Sequence, residues 1–151
     1  MVSIKTPQGI AVMREGGHIL ARIMKDLSKQ VKPGITTEEL DAYAESQILK
    51  AGAKPAFKGY QGFPKTLCTS INEEVVHAVP SKNRVLKEGD ILTLDAGLIW
   101  PASPPASTNR GESLGGPVST QGGQGFYLDM ARTVPVGKIT MEAMHLIHTT
   151  K

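Results

Sequence analysis

Cysteine is nearly absent from this chain: Cys68 stands alone among 151 residues. No disulfide can form within it, and a reducing compartment, the cytoplasm, is the expected home. Long apolar runs are missing as well. No stretch approaches the roughly 20 residues of a membrane-spanning helix, so membrane placement is not expected. The opening residues, Met1 to Pro7, hold neither an apolar signal core nor a small-residue cleavage site. Runs of one charge are also lacking. The 17 Lys and Arg are spread along the chain and leave a net charge of only +3. That balance is compatible with an anionic neighbour but does not point to specific nucleic-acid binding. What is present is the mixture of a soluble globular protein, 40% hydrophobic and 21% charged, at the length of one domain.

Ile10, Met13, Leu20, Ile23, Met24, Leu27 and Val31 recur at helical spacing from Thr6 onward. Pro7 suits a first turn, and Pro33-Gly34 ends the run. A second helix is predicted from Thr36, with Glu39 completing a capping box and Gly52 stopping it. Leu40, Tyr43, Ala44 and Ile48 mark its buried face. Beyond Pro64 the pattern turns strand-like over residues 66–71, 75–77, 90–99 and 126–136. A last helix is predicted from Thr140. Two helices, several short strands and a helix read as α+β, with helices against one face of a mainly antiparallel sheet.

Residues 101–123 break the pattern, with four Pro, five Gly and four Ser. Such a stretch buries too little apolar surface to offset its ordering entropy, so it reads as a disordered insertion at a hairpin tip. On that reading 1–100 and 124–151 make up one folded unit.

The strands on either side of the insertion each carry an aspartate among apolar neighbours, in Thr93-Leu94-Asp95-Ala96-Gly97 and Tyr127-Leu128-Asp129-Met130-Ala131. With 101–123 removed, Trp100 and Gln124 form a two-residue turn, and Asp95 is expected directly opposite Asp129 on one face. Two carboxylates that close repel unless a proton or cation lies between them. A bridging metal site is one reading; strand-end or solvated aspartates are the other. Arg132 is expected on the opposite face, so it is not a counter-ion.

Four stretches carry a resemblance. Gly59-Tyr60-Gln61-Gly62-Phe63-Pro64-Lys65 is followed by Cys68-Thr69-Ser70-Ile71-Asn72-Glu73. Val75-Val76-His77-Ala78-Val79-Pro80 and Leu86-Lys87-Glu88-Gly89-Asp90-Ile91-Leu92-Thr93-Leu94-Asp95 come next. Together they resemble the type I methionine aminopeptidases, over residues 1–100 and 124–151. The resemblance implies a partial pita-bread fold and removal of the N-terminal methionine from nascent polypeptides by a cytoplasmic metalloaminopeptidase. It also implies two divalent metal ions (Co, Mn, Fe or Zn), work as a monomer when complete, and the ribosome as a partner. By the same resemblance Asp95 and Asp129 are metal ligands, and His77 contacts the substrate and supports catalysis. Tyr60, Phe63 and Cys68 line the methionine side-chain pocket, Phe63 standing where a tyrosine is common.

Three further ligands of that family, one His and two Glu, would lie beyond Lys151. His18, His145 and His148 are expected as solvent-facing helix residues rather than substitutes, and Cys68 as a pocket thiol rather than a nucleophile. The competing readings are a catalytically inactive pita-bread module that binds peptide or ribosomal partners, and a proline-directed relative.

Overall fold

The computed structural model describes residues 4–102 and 125–150. Residues 103–124, which take in most of the predicted insertion at 101–123, lie outside the described residues. The elements run α1 (Pro7–Ser28), α2 (Thr37–Lys50), β1 (Lys54–Pro55), a single 3-10 turn (Tyr60–Gly62), β2 (Leu67–Ile71), β3 (Ile91–Trp100), β4 (Phe126–Pro135) and α3 (Met141–Thr149).

Local chemistry accounts for the helix starts. The Thr6 hydroxyl accepts from Gly9 N, and Pro7 occupies the first turn, where its missing N–H goes unneeded. Thr36 and Glu39 form the predicted capping box: Glu39 N donates to Thr36 Oγ1, and Thr36 N donates to Glu39 Oε2. Thr140 caps α3 by accepting from Ala143 N. The first helix ends at Ser28, short of Val31, in a turn closed by Gln30 N donating to Leu27 O.

β3 is the spine of the sheet. β4 pairs with it antiparallel along its whole length, from Ile91↔Pro135 to Trp100↔Phe126. β2 pairs with it antiparallel over Leu92 to Ala96, and β1 over Leu98 and Ile99. The even positions Leu92, Leu94, Ala96 and Leu98 are buried, with Val134 of β4, against Leu20, Ile23, Met24 and Leu27 of α1 and Leu40, Ala44 and Ile48 of α2. Both helices therefore cover one face, which is the predicted layering. Gly16 makes the α1 contact possible. A Cβ there would lie 2.2 Å from Leu128 Cδ1 and 2.8 Å from Trp100 Cβ, so only hydrogen fits between helix and sheet.

Two expectations are corrected. Residues 75–77 form no strand; Val75 and Val76 are exposed in a loop, because the chain turns where Glu74 N donates to Ile71 O and leaves extended backbone at Asn72 and His77, whose φ are 53° and 59°. The β3–β4 register is also displaced by two residues. Asp95 stands opposite Ala131, and Asp129 opposite Gly97. Trp100 continues the strand instead of turning, so pairing runs further toward the tip. A slip of two keeps each side chain on its face, and the leucine row stays buried either way. Asp95 and Asp129 thus become diagonal neighbours on the sheet face away from α1 and α2.

Candidate metal centre and side-chain pocket

Alternation along β3 and β4 puts Asp95, Gly97 and Asp129 on the face away from the helices, and Cys68 of β2 stands opposite Asp95. Diagonal positions are within reach of carboxyl-length side chains. The charge of Asp129 acts on the Asp95 carboxyl, whose Oδ1 is buried without a hydrogen-bond partner. Burial comes first, then the charge of Asp129 and the hydrogen bond to it, in pushing the Asp95 carboxyl up to about 6; His77 pulls the other way. A buried orphan oxygen beside a second carboxylate is a hard anionic donor pair awaiting a proton or a cation. Two aspartates fit one side of a divalent-metal site. Among the described residues no group of three or more His, Cys, Asp or Glu comes together with metal-binding geometry.

A cavity of about 550 Å³ opens above this pair. Of the residues singled out in the sequence, Tyr60, Phe63, Cys68, His77, Asp95 and Asp129 all border it. The sequence reading missed Phe57, Gln61, Gly62 and Pro64, which also line it.

The aromatic wall is built by a tight turn. Gly59 and Gly62 have φ of 87° and 84°, and Gln61 between them is also left-handed at 48°. Glycines at the two ends remove the Cβ clash that such backbone imposes. Gly59 N donates to Phe63 O, and Phe63 N donates to Tyr60 O, closing the turn on itself. Tyr60 is 58% exposed at the mouth, whereas Cys68 is 5% exposed at the floor. Phe57 lies across Gly97, where a Cβ would come within 2.7 Å of the ring. Glycine at that strand position lets the ring settle onto the floor beside Asp129. The Gly-x-x-Gly spacing was the available signal for the turn; nothing local announced Phe57.

His77 sits at the mouth on an exposed loop, with φ of 59°. Left-handed backbone is unfavourable for a non-glycine residue and persists only when its surroundings hold it. Here Thr69 N donates to Ala78 O, Arg84 Nη1 donates to Val79 O, and Arg84 pairs with Glu74, whose carboxylate accepts from Ile71 N. The loop is thereby tied to β2 on both sides of His77.

Burial, and then Asp95, Asp129 and Asp41, push the Cys68 thiol up to about 11. It is a neutral, polarisable wall of the pocket at physiological pH and no nucleophile. Asp41 of α2 anchors the start of β2: its Oδ1 accepts from both Thr66 N and Leu67 N. His18, His145 and His148 are exposed on helices away from this site, and Arg132 lies on the opposite face from Asp129.

The fold and the carboxylate-floored cavity define the pita-bread class of α+β metallopeptidases. The chain's sequence matches the model of metallopeptidase family M24 over residues 11–103, and the chain belongs to that family. It is 44% identical over 151 residues to a methionine aminopeptidase of Clostridium acetobutylicum and 41% identical to methionine aminopeptidase 1 of Bacillus subtilis. In both cases all of this chain is covered and 51% of the relative, so the chain spans about half the length of the curated relatives it matches. The crystal structure of methionine aminopeptidase from Rickettsia prowazekii superposes with a TM-score of 0.81 at 30% identity, over 99% of this chain and 51% of that one. The prolidase of Pyrococcus horikoshii superposes at 0.67 with 18% identity, over 94% of this chain and 33% of its own, a likeness of fold.

Proposed function

We propose that this chain supplies the side-chain pocket and the first two metal-binding aspartates of an aminopeptidase that removes N-terminal methionine from nascent polypeptides. One observation carries the reading: the carboxyl pair, with its orphaned buried oxygen, lies on the floor of a cavity walled by Phe57, Tyr60, Phe63 and Cys68. An unbranched thioether suits an apolar wall of rings and a thiol.

Asp95 and Asp129 would hold the metal, and a divalent ion bound there supplies Lewis-acid polarisation of the scissile carbonyl and activation of water. The pocket residues select and orient the side chain, so the peptide bond that follows methionine lies over the carboxylates. In this reading His77, which borders the cavity, donates a hydrogen bond to the substrate backbone. Residues 1–100 and 124–151 act as one unit in this reading, and work at the ribosome, in the cytoplasm, as a monomer belongs to it.

The test is hydrolysis of Met-Ala-X peptides by the full protein with Mn, Co, Fe or Zn, against X-Pro peptides, before and after chelation. Metal-dependent release of methionine is expected, together with its loss on chelation. Release from X-Pro peptides instead would replace the methionine pocket with a proline-directed one. No turnover of either would leave a peptide-binding module.

A further inference from the structure

Two polar side chains are buried on α2. Thr37 is fully buried and Asp41 is 5% exposed. They stand one turn apart, beside the apolar row Leu40, Ala44 and Ile48 that faces the core. A buried hydroxyl or carboxyl is costly unless it is hydrogen-bonded, so the partners tell what each is for. Asp41 Oδ1 accepts from Thr66 N at 2.8 Å and from Leu67 N at 2.9 Å. Those two residues join Pro64 of the aromatic wall to Cys68 of the floor. Thr37 Oγ1 donates to Ser81 O at 3.1 Å and accepts from Ser81 N at 2.9 Å. Ser81 follows Pro80, four residues beyond His77, and Thr37 N donates to Arg84 O just past it.

The acids on the same flank repeat the pattern. Glu38 pairs with Lys65 and Glu45 with Lys58, each at 2.6 Å. Thr37, Glu38, Asp41 and Glu45 fall within an arc of about 100°. The turn over 59–63, which closes on itself, thus hangs between Lys58 and Lys65, and α2 holds both. Solvent-exposed ion pairs contribute little, so Asp41 supplies most of the hold on this wall. Among the described residues none of α2 borders the cavity. One helix grips both of its sides from behind.

We infer that Thr37 and Asp41 are positioning residues that set which side chain the pocket admits. Asp41 holds the wall that runs from Tyr60 to Cys68, and Thr37 holds the loop that carries His77. Both stand on one helix, so their spacing is fixed at about 6 Å along its axis, and the gap between the two walls follows from it. The width of that gap decides how closely an unbranched side chain is packed and how well a branched one is refused. Selectivity is thereby set by two residues that touch no substrate. A helix that merely added stability would instead lower activity toward every side chain alike. The inference rests on the proposed function, since it names what fixes the selectivity of that same pocket.

The experiment compares hydrolysis of Met-Ala-X and Leu-Ala-X by the full protein, with backbone hydrogen exchange followed by mass spectrometry in the same preparations. Pocket shape alone separates similar apolar side chains by about 10- to 200-fold in kcat/KM. Asp41→Ala is expected to reduce the Met-to-Leu ratio by about tenfold, chiefly through a higher KM for the methionine peptide. Asp41→Asn keeps an acceptor for both N–H groups and should restore the ratio to within about twofold. Thr37→Val matches the size without the hydroxyl and should reduce the ratio too. Asp41→Glu moves the acceptor by one methylene and serves where Asp41→Ala does not fold. Exchange should quicken over 59–67 in Asp41→Ala and over 77–82 in Thr37→Val, but not in β3 or β4. Thr36→Ala weakens the same helix through a cap whose bonds are all to Glu39, and should leave the ratio within about twofold. A ratio unaltered by Asp41→Ala and Thr37→Val, or lowered as much by Thr36→Ala, would overturn the proposal, as would exchange quickened evenly along the chain. If the wild type cleaves neither peptide, the proposed activity fails, and the exchange pattern alone decides whether α2 holds the two walls.

Discussion

At the scale of single residues, the buried acids decide most of the behaviour. Asp95 has a partnerless oxygen and a carboxyl raised to about 6, so it gains from a cation. Asp95→Asn keeps the shape and removes the charge. Loss of an outer-shell partner typically lowers metal-dependent activity by roughly 10- to 100-fold, and loss of a direct ligand should exceed about 100-fold. Steady-state cleavage of Met-Ala-X, with isothermal titration of Mn, checks this. Asp41 is the second case. Burial raises its carboxyl above 3.8 despite the hydrogen bonds from Leu67 N and Thr66 N. It is harder to ionise folded than unfolded, so the folded state is favoured below pH 3.8 and loses that advantage as pH rises toward the raised value. Asp41→Asn retains an oxygen that can accept both N–H groups and removes this titration. The stability of the wild type relative to Asp41→Asn should therefore fall as pH rises through that window, measured by urea unfolding at several pH values. Asp41→Ala leaves two buried donors unpaired and should cost about 2 to 4 kcal/mol. A flat difference between wild type and Asp41→Asn would contradict the assignment.

At the scale of elements, close approaches fix where the pieces sit. Gly97 has ordinary strand backbone, so it is there for space. Gly97→Ala would set a Cβ 2.7 Å from Phe57 Cε1 and 3.1 Å from Ala56 Cβ. The ring must lift off the sheet into the cavity, at about 1 to 3 kcal/mol of overpacking. Calorimetric affinity for norleucine should fall, and adding Phe57→Ala should remove the effect of Gly97→Ala. Affinity unaltered by Gly97→Ala would mean that the ring does not form the floor. The α2 cap is a simpler case. Thr36→Ala should destabilise by about 1 kcal/mol, seen as a lower urea midpoint at unchanged slope.

At the scale of the whole molecule, one face of the sheet is spent on α1 and α2, and the other presents the carboxyl pair and its cavity. Among the described residues that second face brings the Asp95 and Asp129 carboxyls to one cavity, and the chain spans about half the length of its curated relatives. Metal should still favour the folded state. At a free metal concentration about ten times its Kd, stabilisation is about 1.4 kcal/mol. The melting temperature should rise with Mn, return on chelation, and not respond in Asp95→Asn. A rise that persists in Asp95→Asn would place the metal elsewhere. No helix among the described residues is long and apolar enough to cross a membrane.

What the sequence determined by itself is everything that depends on a few neighbouring residues. The helix starts at Thr6, Thr36 and Thr140 follow from hydroxyls within reach of N–H groups three residues ahead. The two-residue period assigned Asp95 and Asp129 to one face, and alternation protects that assignment even against a slip of two. Which residues opposed each other was not legible, because pairing depends on how far the strands extend toward their tip, and Trp100 prefers packing against α1 to turning. The strand expected at 75–77 failed because the β-branched pair is bracketed by left-handed backbone at Asn72 and His77, which turns the chain out of extended geometry. Phe57 entered the pocket through a vacant Cβ 40 residues away at Gly97. Such facts depend on which atoms meet across the fold, and packing alone decides that.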